Sequence, residues 1–441
     1  MGAIENFIAF VFVLGVMVLI HELGHFWAAR YFKVRVLAFA FGFGPRLFGF
    51  KRGDTDYKVC LFPLGGFVKM AGENPGEPSS DPDEFAAKPR WQRIIIALMG
   101  PIFNVILAFV LLVGLFMFHY ERSAIQFEPP VVGYVAIDSA ASRAGMLEGD
   151  LIVALDGEPV PDWESVRLIE ITAPHEVLEV TVVRDSKERN FSIPIPPDEK
   201  TGIGRAGWYE STGVRFGKTT PGLPAETAGI QQGDLLLTFN GDPVTSWREV
   251  PDLIQQIGGG PAQIEVRRGD QVIPIEVTPV YNSAGTTPPA WRIGVELIPD
   301  VNTITTQLSL VDAVIQSYEQ NRKNAKLIFA FLEGLLEQRM SPKSLEGPIG
   351  IARLSGEAAR AGTPYLVSMM AAISLNLGIF NLLPIPILDG GMIAVLLLES
   401  MIRRDLSTVV KERVSQVGLV MLMLLFGFVI YNDILKILPV N

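Results

Sequence analysis

The run from Phe7 to Ala29 is apolar for about the length of a bilayer span, yet its far end reads His21-Glu22-Leu23-Gly24-His25. Three ionisable groups inside such a run are costly and by default functional. On a helix the two histidines stand four positions apart on one face, close enough to hold one zinc ion, while Glu22 reaches a water on that ion and takes its proton. The chain has only four histidines among 441 residues, so abundance does not explain the pairing. A polar cluster packed between helices is the structural alternative. It leaves the cost of burying all three groups unanswered.

Nearly half of the residues are apolar (49%), and the net charge is −10 with no basic field of the kind nucleic acids attract. No nucleic-acid partner is expected; the lipid bilayer is. The single cysteine, Cys60, excludes an intramolecular disulfide, so any extracytoplasmic domain holds by packing alone. The first apolar run lacks a basic n-region and a small-residue cleavage site, and is expected to be retained.

Four segments are long and apolar enough to span: Phe7 to Ala29, Ile94 to Phe118, Tyr365 to about Met401 with an interruption, and about Val414 to Leu435. Arg30, Lys33 and Arg35 follow the first, Lys88, Arg90 and Arg93 precede the second, and Arg403, Arg404, Lys411 and Arg413 lie between the third and fourth. By the positive-inside rule these loops are cytoplasmic, which puts both termini and the long region from His119 to Pro364 on the other side. The histidines then lie within the membrane toward its cytoplasmic leaflet.

Between the first two spans, Phe39 to Phe50 and Asp56 to Met70 are aromatic, β-branched and punctuated by glycine and proline, a pattern of short strands and hairpins. Irregular backbone survives at membrane depth only where protein or a water-filled cavity covers it, which favours a re-entrant sheet beside the zinc. A small hairpin domain on the headgroups is the alternative. Gly66 and Val68 in this region are expected to contact substrate. Asn74 to Pro89 reads as a cytoplasmic linker.

In the second span Gly100 permits close helix approach, and Asn104 wants a partner, either as helix packing or lining the site. The third span reads Asn381-Leu382-Leu383-Pro384-Ile385-Pro386-Ile387-Leu388-Asp389-Gly390-Gly391, and its prolines and glycines break the helix at membrane depth. A catalytic zinc site takes three protein ligands and a water, and apart from Glu399 and Asp433 close to the span ends, Asp389 is the only acidic residue in the other spans. Asp389 is therefore the expected third ligand; a helix cap is the competing role. Asn381 is a candidate donor to the scissile carbonyl, or else bonds a neighbouring helix.

The outer region repeats itself. Ala144-Gly145 to Ile152, with Asp156-Gly157 and Trp163, aligns without a gap to Ala228-Gly229 to Leu236, with Asn240-Gly241 and Trp247, 84 residues on. Such a period means two copies of one small domain. The shared A-G-x-x-x-G-D-x-(I/L) pattern resembles the PDZ domain of bacterial membrane and periplasmic proteases, whose members add an extended peptide to a sheet edge. That resemblance implies that Val132-Gly133-Tyr134-Val135 is the first copy's carboxylate-binding loop; the matching stretch in the second lies around Gly213-Val214. Both copies serving only as spacers is the alternative.

Together the H-E-L-G-H and N-x-x-P-x-P-x-L-D-G motifs, with G-P-x-x-N in the second span and P-L-G-G-F-V-K-M in the cytoplasmic loop, resemble the site-2 protease family of intramembrane zinc metalloproteases. The resemblance implies a bacterial inner-membrane enzyme that cleaves a single-span anti-sigma factor already trimmed by another protease, in regulated intramembrane proteolysis of the envelope stress response, and remnant signal peptides as well. The expected architecture is a polytopic α-helical membrane protein with four transmembrane helices (1–36, 94–118, 365–402 and 413–438) and a membrane-associated β-hairpin sheet (37–72). A linker (73–93), two inserted extracytoplasmic PDZ-like α/β domains (125–200 and 208–282) and a membrane-surface helical segment (305–362) complete it. A membrane-anchored PDZ scaffold with a structural metal is the rival reading, and Glu22 speaks against it, because a structural site needs no base.

Overall fold

Helix α1 runs from Gly2–Tyr31, and ends where Lys33 takes a left-handed backbone (φ 57°) while the Val34 N–H bonds the Ala29 carbonyl. The computed structural model describes residues 2–73, 81–123, 128–198, 202–282, 290–301, 303–340, 342 and 345–437; part of the expected linker (74–80) and the flanks of the first repeat (124–127, 199–201) lie outside them. The chain forms two units, Met1–Tyr120 with Thr306–Phe329 and Leu345–Ile434, and Glu121–Thr305 with Ala330–Ser344 and Leu435–Asn441.

In the first unit, strands β1 (Val36–Arg52) and β2 (Thr55–Met70) follow α1 and pair antiparallel, with a turn at Gly53 (φ 62°) and several register shifts. Because both strands bend, residues 36–41 lie between 66–70 on one side and 56–59 on the other, and 48–52 pair with 55–59. Among the described residues, 66–70 are therefore an outer strand with one free edge. A short 3-10 turn (Phe85–Ala87) leads to helix α2 (Arg90–Phe118). Ala28, Ala29, Val34, Val36, Val68, Met70, Phe85 and Ile96 make one buried cluster that locks the end of α1, the base of the sheet and the start of α2 together. Gly24 lets the two helices touch, since a Cβ there would sit 2.2 Å from the Met99 carbonyl oxygen.

The second unit carries the repeat. Strand β3 (Tyr120–Ser123) leads to the first copy: β4 (Val132–Val135), α3 (Ala140–Ala144), β5 (Leu151–Leu155), β6 (Glu158–Pro159), α4 (Trp163–Thr172), β7 (Val177–Arg184), β8 (Lys187–Pro194) and β9 (Trp208–Glu210). The second copy has β10 (Gly213–Thr219), α5 (Pro224–Thr227), β11 (Leu235–Phe239), β12 (Asp242–Pro243), α6 (Glu249–Ile257), β13 (Ala262–Arg268), β14 (Gln271–Val277), a β15–β16 pair (Val280–Asn282, Ala290–Arg292) and β17 (Val295–Asp300). Each copy has its own core, around Ile152, Val180 and Trp208 in the first and Phe216, Ile264 and Val266 in the second. A fully buried side chain of this kind contributes roughly 1.5–3 kcal/mol relative to exposure.

The copies match to the atom. Arg184 bonds both oxygens of buried Asp150 and the Gly145 carbonyl; Arg268 does the same with Asp234 and Gly229. Two expectations are corrected. Strand β9 pairs with β4, and β17 with β10, so the first copy extends past 200 to Glu210 and the second past 282 to Asp300. Each copy is closed by a strand distant in sequence from the one it joins, a pairing that local pattern does not announce. The stretch matching β4 is not Gly213-Val214 either: Val131 pairs with Leu151 and Arg215 with Leu235, which puts Phe216-Gly217 opposite Val132-Gly133.

Beyond β18 (Thr303–Thr306), α7 (Leu310–Leu336) is one continuous helix. Helix α8 (Pro348–Ala361) follows, its N-terminal N–H groups at Gly347, Ile349 and Gly350 bonded 2.9–3.0 Å from the carboxylate of Asp433. Helix α9 (Thr363–Asn381) packs on α2, with Ser374 Oγ donating to the Asn104 carbonyl at 2.8 Å. The expected break comes at 382–388, before α10 (Asp389–Ile402) and α11 (Thr408–Ile437). Among the described residues four helices, Ile4–Tyr31, Arg90–Phe118, Thr363–Asn381 and Thr408–Lys436, are long and apolar enough to cross a membrane.

Candidate metal centre

Helical spacing brings Nε2 of His21 and Nε2 of His25 to 3.2 Å from each other, both rings being buried. Asp389, the first residue of α10, adds its carboxylate 3.2 Å from His21 Nε2 and 3.4 Å from His25 Nε2. One ligand atom from each residue lies within 4.8 Å of the other two, and among the described residues this is the only His, Cys, Asp or Glu group so placed.

The break before α10 is what turns Asp389 toward the histidines. The Leu388 N–H bonds the Ile385 carbonyl at 3.1 Å across a turn in which Pro386 presets one φ and Ile387 takes a φ of 86°. A β-branched residue there is strained by about 1–3 kcal/mol and persists only where its surroundings over-determine it. Gly390 is required by contact, since a Cβ would lie 2.3 Å from the carbonyl oxygens of Leu382 and Leu383.

The surroundings of the trio fit a metal. His25 Nδ1 is 2.8 Å from the Ile96 carbonyl, to which only a protonated Nδ1 can donate, so in the neutral ring Nε2 keeps the lone pair that a metal would take. Behind His21, the Asn104 amide nitrogen is 3.2 Å from Nδ1, while its Oδ1 is buried without a partner. A 180° turn of the amide, which exchanges O and N, gives Oδ1 an N–H to accept from and frees His21 Nε2 as well. A Cβ on Gly100 would meet His25 Nε2 at 2.3 Å, so only glycine leaves room for the rings. Two imidazole nitrogens and one carboxylate match the three-ligand set that a catalytic zinc would need.

The model of peptidase family M50 matches residues 9–425. This chain belongs to peptidase family M50. It is a zinc metalloprotease. The regulator of sigma-E protease RseP of Escherichia coli is 31% identical over 455 residues, covering 96% of this chain and 97% of its own. Protease RseP of Yersinia pestis is 31% identical over 459 residues (98% and 99%), and a Vibrio cholerae relative with a zinc-metalloprotease name is 30% identical over 460 residues (98% and 99%).

In this M50 peptidase the trio opens on a cavity of about 290 Å³ that Glu22, Val68, Met70, Asn381 and Leu388 also line. The Val68 backbone N–H faces the Glu22 carboxylate, and a Cβ on Gly66 would lie 3.3 Å from Glu22 Cγ, so both expected strand residues lie beside Glu22. Asn104, expected to contact substrate, is instead fully buried behind His21 and does not line the cavity. Gly133, Tyr134 and Val135 do not form an open ligand loop. Their strand β4 is bonded to β9 on one edge and to the 149–151 segment on the other, Thr245 Oγ1 donates to the Gly133 carbonyl at 2.9 Å, and the Tyr134 hydroxyl donates to Asp252 of the second copy. A strand with both edges used has none left for a peptide.

Glu73 lines the same cavity and accepts the Met70 N–H at 3.0 Å; burial raises its carboxyl above the usual range. Sequence reasoning missed it. Its only signal was an acidic residue just past an apolar strand.

Proposed function

We propose that this M50 peptidase hydrolyses peptide bonds within transmembrane segments of single-span membrane proteins, with zinc held by His21, His25 and Asp389. The observation that carries the reading is the convergence of those three side chains, from the membrane-length helix α1 and the start of α10, on a cavity that also holds Glu22. When bound, zinc supplies Lewis acidity for the scissile carbonyl and the attacking water. Glu22 takes a proton from that water as its oxygen adds to the carbonyl carbon, then delivers it to the amine nitrogen as the C–N bond breaks. Asn381 donates to the carbonyl oxygen. The free edge of residues 66–70 holds the substrate extended, since helical peptide bonds are shielded from attack.

The relatives named as regulators of sigma-E support an anti-sigma factor as substrate in a bacterial inner membrane, and the site-2 protease resemblance adds remnant signal peptides as further ones. The Lys/Arg distribution supports periplasmic termini and PDZ-like copies, and a site toward the cytoplasmic side. The two copies, inserted in sequence between the second and third spans, act as a size gate that rejects substrates with bulky outer domains. Replacing Val131 to Val280 by a flexible linker is expected to raise cleavage of an untrimmed substrate relative to its trimmed form; an unchanged ratio refutes the gate.

The decisive experiment incubates the purified, zinc-loaded full chain with transmembrane peptides, alongside Glu22→Gln. The variant is expected to keep its zinc and lose roughly 10²–10⁴ in rate, the usual contribution of a general base. Cleavage at the wild-type rate sinks the mechanism.

A further inference from the structure

The outer strand 66–70 has β1 on one side only, and its backbone alternates, so the N–H groups of Val68 and Met70 point to the free edge. In the structure each meets a carboxylate. The Val68 N–H faces Glu22, and the Met70 N–H donates to Glu73 Oε2 at 3.0 Å. These are the positions that successive carbonyl oxygens of an added strand would take.

Glu73 is put there by a tight turn. Gly72 adopts φ 67°, the Ala71 N–H bonds the Arg35 carbonyl, and the N–H groups of Phe85 and Ala86 bond the carbonyls of Ala71 and Gly72. The turn sends the Glu73 side chain back over the strand end and into the cavity that holds His21, His25 and Asp389. A carboxylate that merely closed a turn would be left in water, where it costs nothing. This one is kept beside the proposed reaction site, where desolvation disfavours it, and its one hydrogen bond among the described residues goes to the strand edge.

We infer that Glu73 is a built-in occupant of the substrate edge: its carboxylate stands in for a substrate carbonyl on the Met70 N–H and must be displaced before a peptide strand adds. Glu73 is thus a specificity-determining residue that weakens binding of every peptide and favours those with enough further contact to displace it. It takes no proton and makes no covalent bond in the reaction. The proposal rests on the strand-edge reading above, and its test is built to separate the two.

Binding of a labelled transmembrane peptide is measured by fluorescence anisotropy on the zinc-loaded full chain carrying Glu22→Gln, so that no cleavage intervenes. Adding Glu73→Ala is expected to tighten Kd roughly tenfold or more, the scale of one hydrogen bond to a charged group. Glu73→Gln, which still offers an oxygen to the Met70 N–H, is expected to stay within about threefold of the parent. The same peptide with single amides replaced by esters reports on the edge itself. If no ester position changes Kd in any variant, strand addition fails. If esters weaken binding but Glu73→Ala leaves Kd unchanged or raises it, strand addition stands and the role given to Glu73 is overturned.

Discussion

The side-chain amide of Asn104 lies 3.2 Å from Nδ1 of His21, joining the middle of α2 to the His21 ring on α1. Asn104 has no exposed surface, and its backbone carbonyl is in turn held by Ser374 of α9. Three membrane-length helices therefore fix one imidazole.

From this, Asn104→Leu is expected to lower zinc affinity roughly 10- to 100-fold, the usual effect of removing the group that orients a metal-binding histidine. Asn104→Asp, which keeps an oxygen for Nδ1–H, is expected to recover most of it. Chelator competition on the purified chain measures both; equal affinity for Leu and wild type would show that the ring needs no such support.

Proline at Val68 is expected to lower peptide cleavage roughly tenfold or more with zinc content unchanged. The Val68 N–H points away from β1, so its loss leaves the ladder intact and removes only the edge donor. Metal analysis beside a peptide-cleavage assay decides the matter, and loss of zinc would mean that the strand had moved instead.

Arg184→Ala is expected to make the first repeat cleavable by protease roughly tenfold or more faster, because it strips buried Asp150 of its cation. Arg268→Ala is expected to do less, since the Arg268 side chain is 31% exposed against 16% for Arg184. Limited proteolysis with fragment mapping ranks the two; the reverse order contradicts the burial argument.

Burial holds the Glu170 carboxyl at about 7, against a usual 4.5, beside the Ala206 N–H that it accepts. The folded state keeps this proton more tightly than the unfolded chain does, so stability falls as pH rises from about 4.5 to about 7 and then levels off. Glu170→Gln keeps an acceptor and removes the charge. It is expected to raise the melting temperature of the repeat region by a few degrees, about the effect of 1 kcal/mol, at pH 8 and to leave it unchanged at pH 4.5. A shift of equal size at both pH values would rule out titration as its cause.

The sequence alone carried the proposed catalytic set. His21, Glu22 and His25 are joined by helical period, and Asp389 stands out because acid is scarce in apolar spans; both signals are local or compositional. The 84-residue repeat was likewise legible, because two copies diverging from one pattern keep their turn residues in step. What only the tertiary structure decided depends on pairings between residues far apart in the chain. The partner of Asn104, the closure of each repeat by β9 and β17, the inter-repeat contacts made by Gly133 and Tyr134, and the placing of Glu73 at the edge of β2 all rest on backbone approaches. Hydrophobic periodicity records which face of an element is buried. It does not record which neighbour buries it, and in this protein that neighbour decides whether a strand edge is left free.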